Sequence, residues 1–141
     1  ADLQPRPWLG LSGQYTFTDS EILESANDFD PVYAVGEPLL RRPRHQGAFT
    51  ARVSLPRWSA GLTLVSVGER ADSDFVGIGL TRNTAYTRLD ARVRVRIAGP
   101  LEVWLAGENL TDATYQEVLG YPALGRAVRG GLRLAVGGPG R

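Results

Sequence analysis

Between Arg88 and Ile97 the sequence alternates without a break. Leu89, Ala91, Val93, Val95 and Ile97 occupy one set of positions, and Arg88, Asp90, Arg92, Arg94 and Arg96 the other. Successive side chains of an extended strand point to opposite faces, so this segment reads as a strand with one apolar and one charged face. On a helix the same spacing would scatter arginine around the whole circumference. Comparable faces recur at Leu9, Leu11, Gly13, Tyr15, Phe17, at Phe49, Ala51, Val53, Leu55, at Leu101, Val103, Leu105, and at Val128, Leu132, Leu134. The run from Trp58 to Gly68 alternates less cleanly, because Val65 and Val67 add to Leu62 and Leu64, but it too reads as a strand. Each run is about as long as the ~9 to 11 residues a tilted strand needs to cross a bilayer.

The connections between these six strands are long, short, long, short and long in turn. The long ones run roughly from Asp19 to Arg44, Glu69 to Ala85 and Asp112 to Arg126; the short ones are Pro56-Arg57 and Ala98-Gly99-Pro100. Membrane barrels of the outer-membrane type keep tight turns on one side and extended loops on the other. The sequence thus predicts an all-β, antiparallel transmembrane barrel segment, with long outer loops, short periplasmic turns and the C-terminus at the periplasmic rim. Six strands are fewer than the about eight such a barrel needs, which makes the chain a fragment in this reading. A soluble sandwich gives the same local alternation, and remains the alternative. The five arginines Arg88, Arg92, Arg94, Arg96 and Arg133 on the inferred inner faces favour a wet lumen.

Composition narrows the chemistry. The 16 basic and 15 acidic residues of the 141 nearly cancel, so no overall charge calls for nucleic acid. There is no cysteine and one histidine, His45, which removes thiol nucleophiles, thiolate metal sites and any zinc cluster. No stretch of ~20 apolar residues exists for a membrane helix, so a membrane reading requires a barrel. The acidic run Asp19, Glu21, Glu24, Asp28, Asp30 lacks the glycine and spacing of a calcium-binding hand and reads as solvated. No glycine-rich phosphate loop leads into a helix, and nothing orients a Ser-His-Asp site around His45. The expectation is no enzyme, no cofactor, no metal and no catalytic residue.

The segment Gly107-Glu108-Asn109-Leu110-Thr111-Asp112-Ala113-Thr114-Tyr115-Gln116-Glu117-Val118, followed by Gly120-Tyr121-Pro122-Ala123-Leu124-Gly125-Arg126, closely resembles the C-terminal motif of TonB-dependent receptors. The spaced Asn-Leu, Tyr, Gly-Tyr-Pro and Gly-Arg elements fall in family order ahead of a last strand, Ala127 to Val136. In physical terms, Asn109 to Asp112 marks where a strand leaves the membrane, since Asn and Asp side chains bond nearby backbone as pairing ends. Tyr115 and Tyr121 are amphipathic rings suited to an interfacial belt. Gly120, Pro122 and Gly125 bend the loop back. Asn109-Leu110-Thr111 also fits the glycosylation pattern, but lies inside the motif and is read as part of it. A shorter resemblance, Gly36-Glu37-Pro38-Leu39-Leu40-Arg41-Arg42-Pro43-Arg44-His45, is similar to the loop ahead of a strand in cobalamin-type receptors of the family. The family usually ends on an aromatic residue; this chain continues as Gly137-Gly138-Pro139-Gly140-Arg141.

The resemblance implies an outer-membrane receptor that imports a bulky, scarce nutrient, cobalamin or an iron chelate, through about 22 strands around a plug. Its energy would come through the TonB complex by way of N-terminal regions, and 1–141 would be the C-terminal part of the barrel wall, in contact with outer-membrane lipid. Candidate ligand contacts are the basic outer loop Arg41, Arg42 and Arg44, which suits an anionic ligand or lipid phosphates, with Tyr115 and Tyr121. Glu108, Asn109, Leu110, Asp112, Tyr115, Gly120, Tyr121, Pro122, Gly125 and Arg126 are expected to be structural as members of the motif, Tyr115 and Tyr121 thus carrying both readings. Two other readings compete: a soluble β-sheet binding module, and a small outer-membrane pore or enzyme. Two finer expectations follow for the turn at Ala98-Gly99-Pro100: Arg96 opposite Glu102, and Arg94 opposite Trp104 within reach of its ring.

Overall fold

The computed structural model describes residues 1–27, 29–73 and 79–135. Among the described residues eleven strands occur in chain order: β1 (Asp2–Arg6), β2 (Leu9–Phe17), β3 (His45–Ser54), β4 (Trp58–Val67), β5 (Arg70–Ser73), β6 (Leu80–Asn83), β7 (Tyr86–Ala98), β8 (Leu101–Glu108), β9 (Gln116–Val118), β10 (Tyr121–Pro122) and β11 (Ala127–Leu134). Seven of them form one antiparallel sheet in the order β1-β2-β3-β4-β7-β8-β11. The pairs β5-β6 and β9-β10 are small hairpin sheets inside two of the long loops.

All six expected strands are present, with ends that differ from the alternating runs by up to four residues, as where β3 begins at His45 and β8 continues to Glu108; Val136 lies outside the described residues. The sequence reading missed β1. Asp2–Arg6 is short, polar and contains Pro5, so it carries no alternation of its own; its place comes from pairing with β2, Leu3 opposite Leu11. That adds a third short turn, 7–8, on the same side as 55–57 and 99–100, and leaves every long loop at the opposite end.

Pairing keeps the faces matched across the sheet. One continuous row reads Leu3, Leu11, Ala51, Leu62, Ala91, Gly107, Val128, and another runs Trp58, Val95, Val103, Leu132. On the other face, Arg52, Gly61, Arg92, Ala106 and Arg129 lie in line, beside Ser59, Arg94, Trp104 and Gly131. The hollow of the sheet is on this polar face, bordered by Arg52, Thr63, Arg88, Asp90, Arg92 and Arg94. The convex face is open: Phe49, Leu62, Val93, Leu105 and Leu132 are all exposed. Trp58 near the short turns and Tyr15 and Phe17 near the long loops place exposed aromatic rings toward both ends, as in the girdles of a membrane barrel.

A soluble sandwich would cover that apolar face with a second sheet. Here the buried apolar residues among those described are Val32, Tyr86 and Tyr115, none of them on the convex face. A face of this extent left bare in water would be an association surface; against lipid it needs no partner.

The turn after β7 keeps the expected register, with Arg96 opposite Glu102 and Arg94 opposite Trp104. The chain reverses at Gly99-Pro100, where Gly99 takes φ +48°, and the register shifts between Arg96 and Ala98. The expected ring contact belongs to a different arginine: the Arg92 guanidinium lies 5.8 Å from the Trp104 ring centre. Twist brings diagonal neighbours on one face within reach of long side chains. The indole leans the other way over Gly131, where an added Cβ would stand 2.9 Å from its Nε1.

Candidate functional site

The three long loops meet at one end of the wall, and the buried polar residues among those described, Arg70, Asp72, Asn83 and Asn109, lie in or beside these loops. Loop 18–44 folds back on itself through Ile22 N–H to Glu37 O and Gly36 N–H to Ile22 O, and carries a 3₁₀ turn, Pro31–Tyr33, capped by the Asp30 carboxylate. Loop 68–85 is the β5-β6 hairpin, and loop 109–126 contains the β9-β10 pair.

Asp72, on β5, is completely buried. Its Oδ1 accepts from Arg41 Nε (3.0 Å) and the Ser73 N–H (2.9 Å), its Oδ2 from the Leu119 N–H (2.9 Å) and Asn83 Nδ2 (3.4 Å). Those donors come from all three loops. Burial pushes the carboxyl's pKa up, but the bonds from Leu119, Arg41 and Ser73 outweigh it and hold the group below its ordinary range. Arg41 is further fixed by its own N–H donating to Ala71 O at 2.7 Å, with φ at +59°. A non-glycine residue sits in that left-handed region only when its surroundings determine it.

Beside Asp72, the buried Arg70 donates through Nη2 to Gln116 O and Glu117 O, and Asn83 Nδ2 bonds Gln116 O at 2.9 Å. Tyr86 and Tyr115 stack with ring centres 3.9 Å apart. Their hydroxyls are taken by Glu117 Oε1 (2.5 Å) and Arg88 Nη1 (2.9 Å). Tyr115 is thus an inner ring of the loop cluster and not an interfacial belt residue, and it is 6% exposed.

The motif residues build the turn that launches the third loop. Asn109 (φ +49°) is buried; its Nδ2 donates to Ala113 O and Leu124 O, and its Oδ1 accepts from Ala113 N–H and Thr111 Oγ1. Its own N–H bonds Asp90 Oδ1, which ties the turn to β7. Leu110 packs on Gly107, where any Cβ would come within 2.6 Å of it. Asp112 accepts from the Arg126 N–H and pairs with the Arg126 guanidinium, and its carboxyl is held below the ordinary range by those bonds. Gly125 lies against the same carboxylate. Gly120 takes φ +88° between β9 and β10. Glu108 pairs with Arg129 across to β11.

The five candidate ligand residues do not line one cleft. Arg41 is bound to Asp72 and Tyr115 is buried; Arg42 and Arg44 border the cleft between the first two loops; Tyr121 and Pro122 sit in β10, with Tyr121 exposed. Two of the three arginines in 41–44 are ion-paired, Arg41 with Asp72 and Arg44 with Asp19 at 2.8 Å. Glu21, Glu37 and Glu69 border the same cleft. His45 begins β3, its Nδ1 2.7 Å from the Tyr15 hydroxyl. Sequence reasoning missed Asp72, Arg70, Asn83 and Tyr86, since nothing in local spacing distinguishes a loop aspartate that becomes buried from one that stays in water. Of the acidic run, Asp28 lies outside the described residues, and no carboxylate group poised for a metal occurs among those described.

A single curved antiparallel sheet with a bare apolar convex face, a charged concave face and all long loops at one end is a segment of membrane barrel wall. The comparisons agree. Residues 1–110 match the family described as TonB dependent receptor-like, beta-barrel, and the chain belongs to that family, whose members lie in the outer membrane. The siderophore receptor PiuA from Acinetobacter baumannii superposes with TM-score 0.77 at 19% identity, over 94% of this chain and 20% of that one. The ferric-catecholate import receptor Fiu from E. coli K12 gives 0.73 at 20% identity, over 92% and 19%. The ferripyoverdine receptor of the Pseudomonas aeruginosa outer membrane gives 0.69 at 13%, over 94% and 18%. The chain therefore spans about a fifth of the length of these structures. No curated protein matches.

Proposed function

We propose that 1–141 is the C-terminal stretch of wall of an outer-membrane receptor that imports an iron–siderophore complex, with energy delivered by the TonB complex through regions N-terminal to it. The observation that carries this reading is the combination of a lipid-facing wall with three long loops tied into one assembly at its outer end. That is the arrangement required of a gated mouth over a wet lumen. Siderophore is preferred to cobalamin because the solved structures it superposes on are named for siderophore or ferric-catecholate import. The role is transport and not catalysis, in keeping with the receptors whose structures it superposes on. The test is uptake of radioactive iron, supplied as catecholate and hydroxamate chelates, by cells with and without the complete receptor, in backgrounds with and without TonB. The reading predicts uptake of at least one chelate that requires both proteins. Uptake of cobalamin alone, or uptake independent of TonB, contradicts it.

A further inference from the structure

We infer that Asp72 is the positioning residue of the receptor mouth: one buried carboxylate that holds the three outer loops as a single body, so that they open and close together. Loop 18–44 reaches the second loop through Arg41, by its side chain onto Asp72 and its N–H onto Ala71 O. Loop 109–126 reaches it through the Leu119 N–H on the other oxygen of the same carboxylate, helped by Arg70 and Asn83 on Gln116 O. Hairpin β5-β6 holds the carboxylate between them, with Asn83 across from Arg70 in register. Because Asp72 is closed to water, a loop that leaves it takes its donor away and strands a carboxylate oxygen in a dry site, and the remaining loops lose part of their own support. Partial opening is thereby disfavoured relative to opening of the whole cluster. The residue acts through Arg41 and Leu119 and not by touching ligand. The inference rests on the receptor reading only for what the mouth is for, and its test needs no ligand.

The experiment uses the complete receptor carrying this segment, folded in lipid, with nitroxide pairs at 39 and 124 (first and third loops) or 82 and 124 (second and third), and pulsed electron resonance to read the distances. With Asp72 intact both pairs should give one narrow distance. Asp72→Ala should broaden both; Arg41→Ala should broaden 39–124 most and 82–124 to a smaller extent. Cleavage of the loops by added protease should rise about tenfold or more in Asp72→Ala, the equivalent of one lost buried hydrogen bond or more. Resistance of the barrel strands to heat in detergent should stay unchanged in both variants. If Asp72→Ala does not insert, Asp72→Asn replaces it, since the amide offers a donor where two donors already point and should broaden both pairs as well. A distribution that stays narrow for either pair in the aspartate variant overturns the inference. A receptor that shows this pattern but transports no iron chelate would instead remove the proposed function and leave the inference standing.

Discussion

At the scale of single residues, the glycines of the wall separate into those that another side chain requires and those that nothing does. Gly131 lies beneath the Trp104 indole, with no room for a Cβ, whereas an added Cβ at Gly10 meets nothing within 4 Å. Gly131→Ala should therefore destabilise a complete receptor by about 1 to 3 kcal/mol through overpacking, with a shift in tryptophan fluorescence, and Gly10→Ala should leave both unchanged; urea unfolding in lipid measures the difference. Asp72 gives a pH prediction with a definite sign. Its folded pKa lies below the ordinary 3.8, so the stabilisation it gives the loops is complete above that value and is lost as pH falls through the lower folded one. Protease resistance of the loops should be flat from neutral pH down to about 4 and fall below that, and Asp72→Asn should abolish the step. None of this is legible in the sequence. Asp72 sits in a run, Glu69-Arg70-Ala71-Asp72, that the sequence marks only as part of a long loop, because partners that enclose it, Arg41 and Leu119, come from two other loops. Asn109 is the contrast: its turn is local, closing on Ala113, so the motif's spacing is enough to find it.

At the scale of elements, period-two alternation located the six strands because each has one face in contact with something apolar. It failed where that condition fails. Strand β1 is exposed throughout, and β5 and β6 belong to a loop hairpin whose residues pack on other loops. Within β4 the ambiguity of Val65 and Val67 is resolved by pairing: they share the polar face with Arg88 and Tyr86, under the loop cluster, while Leu62 and Leu64 take the apolar face with Ala91 and Leu89. Register was legible at the β7-β8 turn, but side-chain direction was not, so the ring contact falls to Arg92 and not Arg94. The two faces of β7 should respond differently to substitution in a complete receptor. Val93→Arg places a charge on the apolar face and should lose about 2 to 4 kcal/mol if it lies near the midplane. Arg94→Ala should lose about 1 kcal/mol or less, since an exposed charge contributes little net stability. Reversible unfolding in lipid reads both.

At the scale of the whole molecule, the sheet has two free edges, on β1 and β11, that a closed barrel does not have. The isolated 141-residue chain should require detergent or lipid to stay dispersed, and calorimetry with an iron–siderophore should show no sub-micromolar binding, because three loops would supply only part of the mouth proposed for the complete receptor. The central claim is that the odd-numbered face of β7 looks into lipid and the even-numbered face into water. It is tested most directly by a nitroxide at 93 or at 94 in the complete receptor in bilayers, read by collision with oxygen dissolved in lipid and with a water-soluble nickel reagent. The account predicts that the label at 93 collides with oxygen and is shielded from nickel, and that the label at 94 shows the reverse. A label at 93 with no lipid contact, or one at 94 that reports lipid, contradicts it.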